Sequence, residues 1–238
     1  MSTSGERLPA HPEGTAEGQI PVSSGRLVLV RHAESTWNAE HRIQGQQDPP
    51  LSQLGRRQAA ALGDRFRGRQ PVALYVSDLG RARQTAEEIA AATGMVAQPV
   101  APLREIGLGE WEGRTGAELA VASPELWARW VDNASWDLIP GGEGMVAFAH
   151  RVRLVLTDLW SRHPRGEVVC VTHGGVVQTV LAAVLGRLPE GRFPFRIQNA
   201  SITALERRAG APTLLGEAVG GPLITGVNDI AHLAVLDD

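Results

Sequence analysis

Three short apolar runs, each rich in β-branched residues, constrain the fold of this 238-residue chain more than any other feature. They lie at residues 26–30, 73–77 and 167–172, and each has the length of a buried strand. Segments with helical periodicity follow each run, and strand–helix alternation of this kind is typical of parallel sheets. We therefore predict an α/β fold, a three-layer α/β/α sandwich with a mixed, mostly parallel central sheet.

Apolar periodicity and residues that favour helix ends place the predicted helices. Ser52 is expected to cap a helix whose buried face includes Leu54 and Phe66. A longer helix over residues 145–163 is expected to carry Val146 on its apolar face. The remaining helices are predicted over residues 80–93, 115–130 and 174–185, and two C-terminal strands over residues 201–207 and 212–219.

Composition excludes several classes of function. Lys and Arg total 23 against 26 Asp and Glu, so the chain lacks the basic excess typical of proteins that bind nucleic acid or an acidic membrane. The single cysteine, Cys170, excludes an internal disulfide and a cysteine-based zinc cluster, and it fits a reducing compartment. No apolar run reaches membrane-spanning length and no secretory signal is visible, so we expect a cytoplasmic protein.

Composition along the chain also predicts its domain organisation. Residues 1–25 are rich in Ser, Gly, Pro, Glu and Thr, which predicts a flexible N-terminal tail. Residues 26–238 are expected to form a single domain, because their length suits one sizeable core and no linker-like segment or repeat interrupts them.

Two of the predicted strands are followed by a histidine. Arg31 and His32 come directly after the first run, and His173 comes directly after the third. Because the carboxyl ends of parallel strands meet at one edge of a sheet, we expect these residues to lie close together. Arg81, shortly after the second run, is expected at the same edge.

The residue types at this edge point to phosphate chemistry. Arginine presents a planar fork of donors to phosphate oxygens, and helix N-termini near Gly80 and Gly174 would add backbone N–H groups. A neutral imidazole is a competent nucleophile toward phosphorus, because its pKa lies near neutrality. Each of these residues alone would be an ordinary surface or capping group, and only their combination indicates an active site.

The segment around the first histidine resembles the signature of the histidine phosphatase superfamily, also called the phosphoglycerate mutase-like family. In that family the first strand ends in Arg-His-Gly, and Glu-Thr/Ser-x-Trp-Asn often follows. Here residues 31–38 read Arg-His-Ala-Glu-Ser-Thr-Trp-Asn. Ala33 replaces the family glycine, and we expect the turn to survive because alanine has the smallest side chain after glycine. Further family blocks are matched at residues 48–59, 77–86, 103–113 and 227–233.

The resemblance implies metal-independent phosphoryl transfer through a phosphohistidine intermediate. His32 would be the nucleophile, Glu105 would protonate the leaving group and later activate water, and His173 would complete the catalytic set. Glu110 and Glu112 compete with Glu105 for its role. The residues implied to bind phosphate or substrate are Arg31, Asn38, Gln44, Gly45, Arg81 and Gly174. No metal ion or other cofactor is expected, because fixed cations would offset the charge of the transferring group.

The resemblance favours hydrolysis of a small phosphomonoester, of the sugar phosphate or phosphoglycerate type. Mutases of the family carry a longer segment after the catalytic glutamate, whereas residues 109–113 have the short Gly-x-Trp-Glu-Gly form of the phosphatases. Two alternatives stay open. One is a phosphoglycerate mutase, and the other is a non-catalytic protein that binds a phosphorylated ligand; the presence of both histidines counts against the latter.

The region after the catalytic glutamate is expected to cover the site. Residues 105–145 would form a lid, with an apolar wall shaped by the tryptophans Trp111, Trp127, Trp130 and Trp136. Gly144 replaces a serine that the family usually carries, so we expect a looser cap on the helix that follows. Members of the family are often dimers, and a homodimer is therefore one implied state.

Overall fold

The computed structural model describes residues 25–187, 196–207 and 221–236 around a six-stranded sheet of order β3-β2-β4-β1-β5-β6. The strands are β1 (Arg26–Arg31), β2 (Ala73–Val76), β3 (Ala97–Pro99), β4 (Glu167–Thr172), β5 (Ile202–Glu206) and β6 (Leu223–Asp229). β1 to β4 run parallel, whereas β5 pairs antiparallel with both β1 and β6. The prediction of a mixed, mostly parallel sheet is confirmed.

Helices cover both faces of this sheet. They are α1 (Thr36–Ala39), α2 (Gln53–Phe66), α3 (Gly80–Thr93), α4 (Gly116–Ala122), α5 (Pro124–Asn133), α6 (Met145–Ser161) and α7 (Gly174–Val184). Ser52 caps α2 by accepting a hydrogen bond from the Gly55 amide, as predicted. Gly94 ends α3 in the left-handed conformation that glycine adopts without strain.

The core has two layers, one on each face of the sheet. Successive side chains of β1 contribute to them in turn, because neighbouring side chains of a strand point to opposite faces. Val28 and Val30 belong to one buried cluster with residues of α2 and α3, including Phe66. Leu27 and Leu29 belong to a second cluster with residues of α6 and α7. The predicted three-layer α/β/α sandwich is therefore confirmed.

The predicted helix over residues 115–130 is wrong, because two shorter helices replace it. Ser123 lies between them with φ −147° and ψ 65°, outside the helical region. Pro124 has no backbone N–H and disfavours the helical conformation in the residue before it. It therefore ends α4 and begins α5, where a proline is well tolerated.

Two residues assigned to buried helix faces point outward instead. Leu54 is 39% exposed and Val146 is 81% exposed, whereas Met145 and Phe148 carry the buried stripe of α6. Gly144 provides no side-chain cap for α6, as expected. Asp137 supplies one, because its Oδ1 accepts a hydrogen bond from the Met145 amide at 2.7 Å.

Two strands of the sheet, β3 and β6, differ from the prediction. β6 was not predicted, because its side chains are mostly half-buried and the apolar signal is weak. β3 was not predicted either, since it has only three residues at a sheet edge. The predicted strand over residues 212–219 lies outside the described residues, as does the predicted tail except Gly25. Within the described ranges, no helix combines the length and apolar character needed to cross a membrane.

Candidate active site

The carboxyl ends of β1, β2 and β4 meet at one edge of the sheet, because β1 and β2 both pair in parallel with β4. The residues that follow the three strands are His32, Ser77 and His173. The imidazole centroids of His32 and His173 lie 5.1 Å apart. The topology therefore brings the two predicted histidines together, although their strands are far apart in the sequence.

His32 is almost fully buried at the wall of a cavity at this edge. Its Nδ1 lies 2.7 Å from the carbonyl oxygen of Ala33, which can only accept. We therefore assign the proton to Nδ1, which leaves a lone pair on Nε2. Burial, followed by the positive charges of Arg81 and Arg31, lowers the pKa of His32 well below its ordinary value of 6.5. The ring is accordingly neutral at pH 7.

His173 is fully buried and directly precedes Gly174, which lines the same cavity. Its Nε2 lies 2.8 Å from Oγ of Ser77, a residue that we did not predict as part of the site. Its Nδ1 is buried and has no hydrogen-bond partner among the described residues. Burial, followed by the charges of Arg81, His32 and Arg31, lowers the pKa of His173 well below 6.5.

Arg31 and Arg81 bring two positive charges to the cavity wall. Arg81 is fully buried and donates to the carbonyl oxygens of Gly45 at 2.8 Å and Gln47 at 2.6 Å. Arg31 donates from Nη1 to the carbonyl oxygen of Ile197. Burial lowers the pKa of Arg31 to about 10, so the guanidinium stays charged at pH 7. These main-chain contacts hold both side chains in place.

Three buried nitrogen atoms at this site have no hydrogen-bond partner among the described residues: Nε of Arg31 and Nε of Arg81, which are donors, and Nδ1 of His173. A buried donor left without a hydrogen bond costs about 1–3 kcal/mol, so a native fold seldom keeps several together. Two arginines that retain unpartnered donors beside a histidine suit a ligand with several acceptor oxygens and negative charge.

Glu105 supplies the carboxyl group of the cavity wall. Its Oε2 accepts a hydrogen bond from the Gly175 amide and its Oε1 from the Ile106 amide, both at 3.0 Å. Its main-chain carbonyl oxygen accepts from Gln46 Nε2 at 3.3 Å and from Arg151 Nη2 at 3.2 Å. The carboxyl group is thus anchored through both its own oxygens and its backbone.

The two competing glutamates are placed elsewhere. Oε1 of Glu112 accepts from the amides of Gln46 and Leu108, and its Oε2 accepts from the Gln47 amide. Glu112 therefore holds a loop together. Glu110 is exposed and does not line the cavity. Of the three candidates, only Glu105 lies at the cavity.

Asn38 and Gln44 line the cavity and share a hydrogen-bond network. Oδ1 of Asn38 accepts from the Ser35 amide at 3.1 Å and from Nδ2 of Asn199 at 3.0 Å. Oε1 of Gln44 accepts from the Ser35 hydroxyl at 2.8 Å. Ser35 and Asn199 were missed: Ser35 has the sequence signal of a helix N-cap, whereas no sequence signal marks Asn199.

The helix N-termini differ in their availability to a ligand. The Gly80 amide, at the start of α3, donates to Oδ2 of Asp48 at 2.6 Å. The prediction that this terminus would serve an anion is wrong, because Asp48 already occupies it. At the start of α7, Gly174 lines the cavity, as predicted, and the Gly175 amide holds Glu105.

The cavity has a volume of about 330 Å³ and is lined by both polar and apolar residues. Of the four tryptophans expected to form its wall, only Trp136 lines it. The other three pack against one another with ring centroids 5.2–5.8 Å apart, and of these pairs Trp127 and Trp130 are stacked. The other lining residues are Arg42, Ile43, Ile106, Leu108, Gln178, Arg196 and Ile197. A larger hollow of about 830 Å³ lies between β3 and α6, away from both histidines.

Comparison with known proteins agrees with this geometry. The family described as histidine phosphatase superfamily (branch 1) matches residues 27–218. The chain is 37% identical over 190 residues to a glucosyl-3-phosphoglycerate phosphatase of Mycobacterium tuberculosis, covering 76% of this chain and 84% of that protein. It is 32% identical over 208 residues to a probable phosphoglycerate mutase GpmB of Yersinia enterocolitica, covering 87% of this chain and 94% of that protein.

Solved structures show the same relationship. A mycobacterial glucosyl-3-phosphoglycerate phosphatase in complex with VO3 is 36% identical, with a TM-score of 0.67, and covers 76% of this chain and 90% of that chain. YhfR of Bacillus stearothermophilus is 30% identical, with a TM-score of 0.74, and the match covers 88% of this chain and 99% of that chain. With the family match extending over most of its length, the chain belongs to the histidine phosphatase superfamily, branch 1.

Proposed function

We propose that this protein is a metal-independent phosphomonoester hydrolase that acts on a small phosphorylated metabolite through a phosphohistidine on His32. One observation carries the proposal. A neutral histidine with a free Nε2 lone pair shares its site with three unpartnered buried nitrogen atoms, which are Nε of Arg31, Nε of Arg81 and Nδ1 of His173. This arrangement suits a phosphoryl group with a nucleophile beside it.

In the first half of the reaction, the lone pair of His32 Nε2 attacks the phosphorus atom. The bond between phosphorus and the ester oxygen breaks, and the leaving oxygen takes a proton from the carboxyl group of Glu105. Arg31, Arg81 and His173 hold the phosphoryl oxygens and offset their charge. The products of this half are the alcohol, a phosphohistidine and ionised Glu105.

In the second half, ionised Glu105 takes a proton from a water molecule as the water oxygen attacks phosphorus. The bond between phosphorus and Nε2 breaks, which restores neutral His32 and releases inorganic phosphate. Glu105 ends protonated, so one carboxyl group serves both halves. We assign Asn38, Gln44, Gly45 and Gly174 to substrate binding because all four line the same cavity.

The substrate class follows from the cavity and from the relatives. A volume of about 330 Å³ suits a small metabolite. Glucosyl-3-phosphoglycerate is the first substrate to test, because relatives that are 37% and 38% identical to this chain are named glucosyl-3-phosphoglycerate phosphatases. A phosphoglycerate mutase is the second candidate, supported by the GpmB relatives and by Arg196, an additional cation that could hold a second phosphate.

We also propose that residues 105–145 cover the site as a lid, since Ile106, Leu108 and Trp136 of this segment line the cavity. A single domain over residues 26–238 remains a prediction from the sequence. The same holds for a homodimer and for a cytoplasmic location.

The test is phosphate release with and without EDTA, using p-nitrophenyl phosphate, glucosyl-3-phosphoglycerate, 3-phosphoglycerate and several sugar phosphates. His32→Ala is the matched control. We expect turnover that persists in EDTA and disappears in His32→Ala. Conversion of 3- to 2-phosphoglycerate without phosphate release would instead support the mutase. Phosphate binding without either reaction would contradict both enzyme functions.

A further inference from the structure

Ser77 is placed by the sheet itself beside Nε2 of His173. It follows the last residue of β2 and is fully buried. Its amide donates to the carbonyl oxygen of Val171 in the neighbouring strand β4 at 2.9 Å. Its Oγ lies 2.8 Å from Nε2 of His173, two residues beyond Val171. The contact therefore joins two strand ends that the sheet holds in register.

The hydrogen bonds around Ser77 decide which atom carries the proton. Oγ accepts a long hydrogen bond from the Leu79 amide at 3.4 Å. Among the described residues, Nε2 of His173 is the one acceptor within hydrogen-bond distance of the Ser77 hydroxyl. A neutral imidazole has one donor and one acceptor nitrogen. If Ser77 donates to Nε2, the ring proton must lie on Nδ1.

The other side of the ring gives independent support. Nδ1 of His173 is buried without a partner, like Nε of Arg31 and Nε of Arg81. The rings of His32 and His173 lie 5.1 Å apart, so a phosphoryl group on His32 would come close to His173. A protonated Nδ1 would donate to it, whereas a lone pair there would repel its oxygens.

We infer that Ser77 is a positioning residue, whose hydroxyl donates to Nε2 of His173 and thereby keeps the proton on Nδ1, the atom that donates to the phosphoryl group. This inference rests on the proposed phosphatase function for its effect on rate. The tautomer itself can be measured whether or not the protein hydrolyses any ester.

Without the Ser77 hydroxyl, the ring proton of His173 should no longer be confined to Nδ1. No group that touches the substrate is removed by this change. Loss of the hydrogen bond that orients a metal-binding histidine typically costs about 10–100-fold in affinity or activity, and we expect the same range for a histidine that orients a phosphoryl group. In Ser77→Ala we expect kcat for p-nitrophenyl phosphate to fall by about that factor, while KM changes little. Inhibition by vanadate should weaken in parallel, because its oxygens need the same donor.

A direct readout separates positioning from a merely structural role. In protein labelled with 15N at histidine, we expect the His173 ring to show a protonated Nδ1 and an unprotonated Nε2. In Ser77→Ala we expect this single-tautomer pattern to be lost. Ser77→Thr keeps a hydroxyl and should recover activity relative to Ser77→Ala if the added methyl group is accommodated.

Ser201→Ala is the matched control. Ser201 is also a fully buried serine, but its Oγ has no hydrogen-bond partner among the described residues. We expect wild-type kcat and an unchanged His173 spectrum in Ser201→Ala. A Ser77→Ala enzyme with kcat within about twofold of wild type would overturn the inference, since orienting bonds of this kind contribute about 10-fold or more. A wild-type His173 protonated on Nε2 would overturn it as well.

The failure of the inference and of the proposed function can be told apart. A wild-type protein that hydrolyses no ester, yet shows His173 protonated on Nδ1 only when Ser77 is present, would support the inference and contradict the phosphatase. An active wild-type enzyme with His173 protonated on Nε2 would contradict the inference and support the phosphatase. Thermal unfolding of each variant shows whether it is folded.

Discussion

Arg81 donates from Nη2 to the carbonyl oxygen of Gly45 at 2.8 Å, so a loop predicted to contact substrate also anchors an arginine that we propose to bind phosphate. Gly45 has φ +54°, and a Cβ atom built on it would lie 2.0 Å from Oε1 of Glu112. Glu112 holds the same loop by accepting the Gln46 and Gln47 amides. Loop conformation and the position of Arg81 are therefore linked.

Gly45→Ala should lower activity strongly for this reason. The added methyl group must displace Glu112 or the loop, and a misplacement of about 1 Å can cost about 100-fold in rate. We expect kcat/KM for p-nitrophenyl phosphate to fall by that order. Gly68→Ala is the control, because Gly68 also has positive φ but nothing within 4 Å of its Cβ position. It should lose about 1–2 kcal/mol of stability and keep its activity.

The pH dependence of kcat/KM should reflect the buried state of His32. Its pKa is lowered by burial and by Arg81 and Arg31, so the reactive neutral form persists as the pH falls below 6.5. After correction for the substrate phosphate, whose second pKa is about 6, we expect no loss of kcat/KM from His32 between pH 7.5 and 6.5. A 15N titration of His32 checks the assignment, and a midpoint at or above 6.5 would contradict it.

Folding stability should fall on acidification for the same reason. His32 and His173 have folded-state pKa values below 6.5, so the unfolded chain binds more protons in the window below that pH. Stability therefore decreases as the pH drops, by up to about 1.4 kcal/mol per pH unit for each histidine. Urea unfolding between pH 7.5 and 5 measures the slope. In the double variant His32→Asn, His173→Asn the slope should flatten; an unchanged slope would assign it to other groups.

Trp136 should limit the size of the alcohol part of the substrate. It lines the cavity and packs against Phe148, with ring centroids 5.9 Å apart. We expect Trp136→Ala to raise the kcat/KM ratio of bulky to small esters by about 10-fold, a typical effect of changing the size of an apolar pocket. Trp127→Ala, in the stacked tryptophan cluster, should lower stability but leave this ratio unchanged. A wild-type ratio in Trp136→Ala would count against the proposed lid wall.

Arg196 should contribute to binding only when the substrate carries a second negative charge. It lines the cavity, is exposed, and its charge acts on Arg31. We expect Arg196→Ala to raise KM for 3-phosphoglycerate by about 10-fold, as for the loss of one charge-assisted hydrogen bond. KM for p-nitrophenyl phosphate should stay near its wild-type value. Arg153→Ala, an exposed arginine on α6, is the control; equal effects on both substrates would place Arg196 at the phosphoryl group instead.

Local signals were sufficient for much of the framework. The apolar runs before His32 and His173 predicted β1 and β4, and Ser52 and Gly94 marked helix ends that the structure confirms. These features depend on neighbours a few residues away, so the sequence carries them directly. Pro124 carried a comparable signal, and the interruption between α4 and α5 could have been predicted from it.

Other features depended on packing between distant segments. The exposure of Val146 and the partial burial of β6 depend on which helix and sheet faces pack together. The pattern of apolar residues along the sequence predicts this packing poorly. The Gly80 amide is bonded to Asp48, which no local pattern reveals. The order of strands decided that His32 and His173 lie at the ends of adjacent strands, with Ser77 at the end of β2 on the other side of β4.

The sequence by itself determined the fold class, the family and the residue types available for phosphoryl transfer, because these depend on periodicity and on short motifs. Only the tertiary structure decided that Glu105, rather than Glu110 or Glu112, faces the cavity, and that Ser77 supports His173. Such choices are made by hydrogen bonds between residues far apart in the chain. A linear pattern does not specify these bonds until the strands are paired.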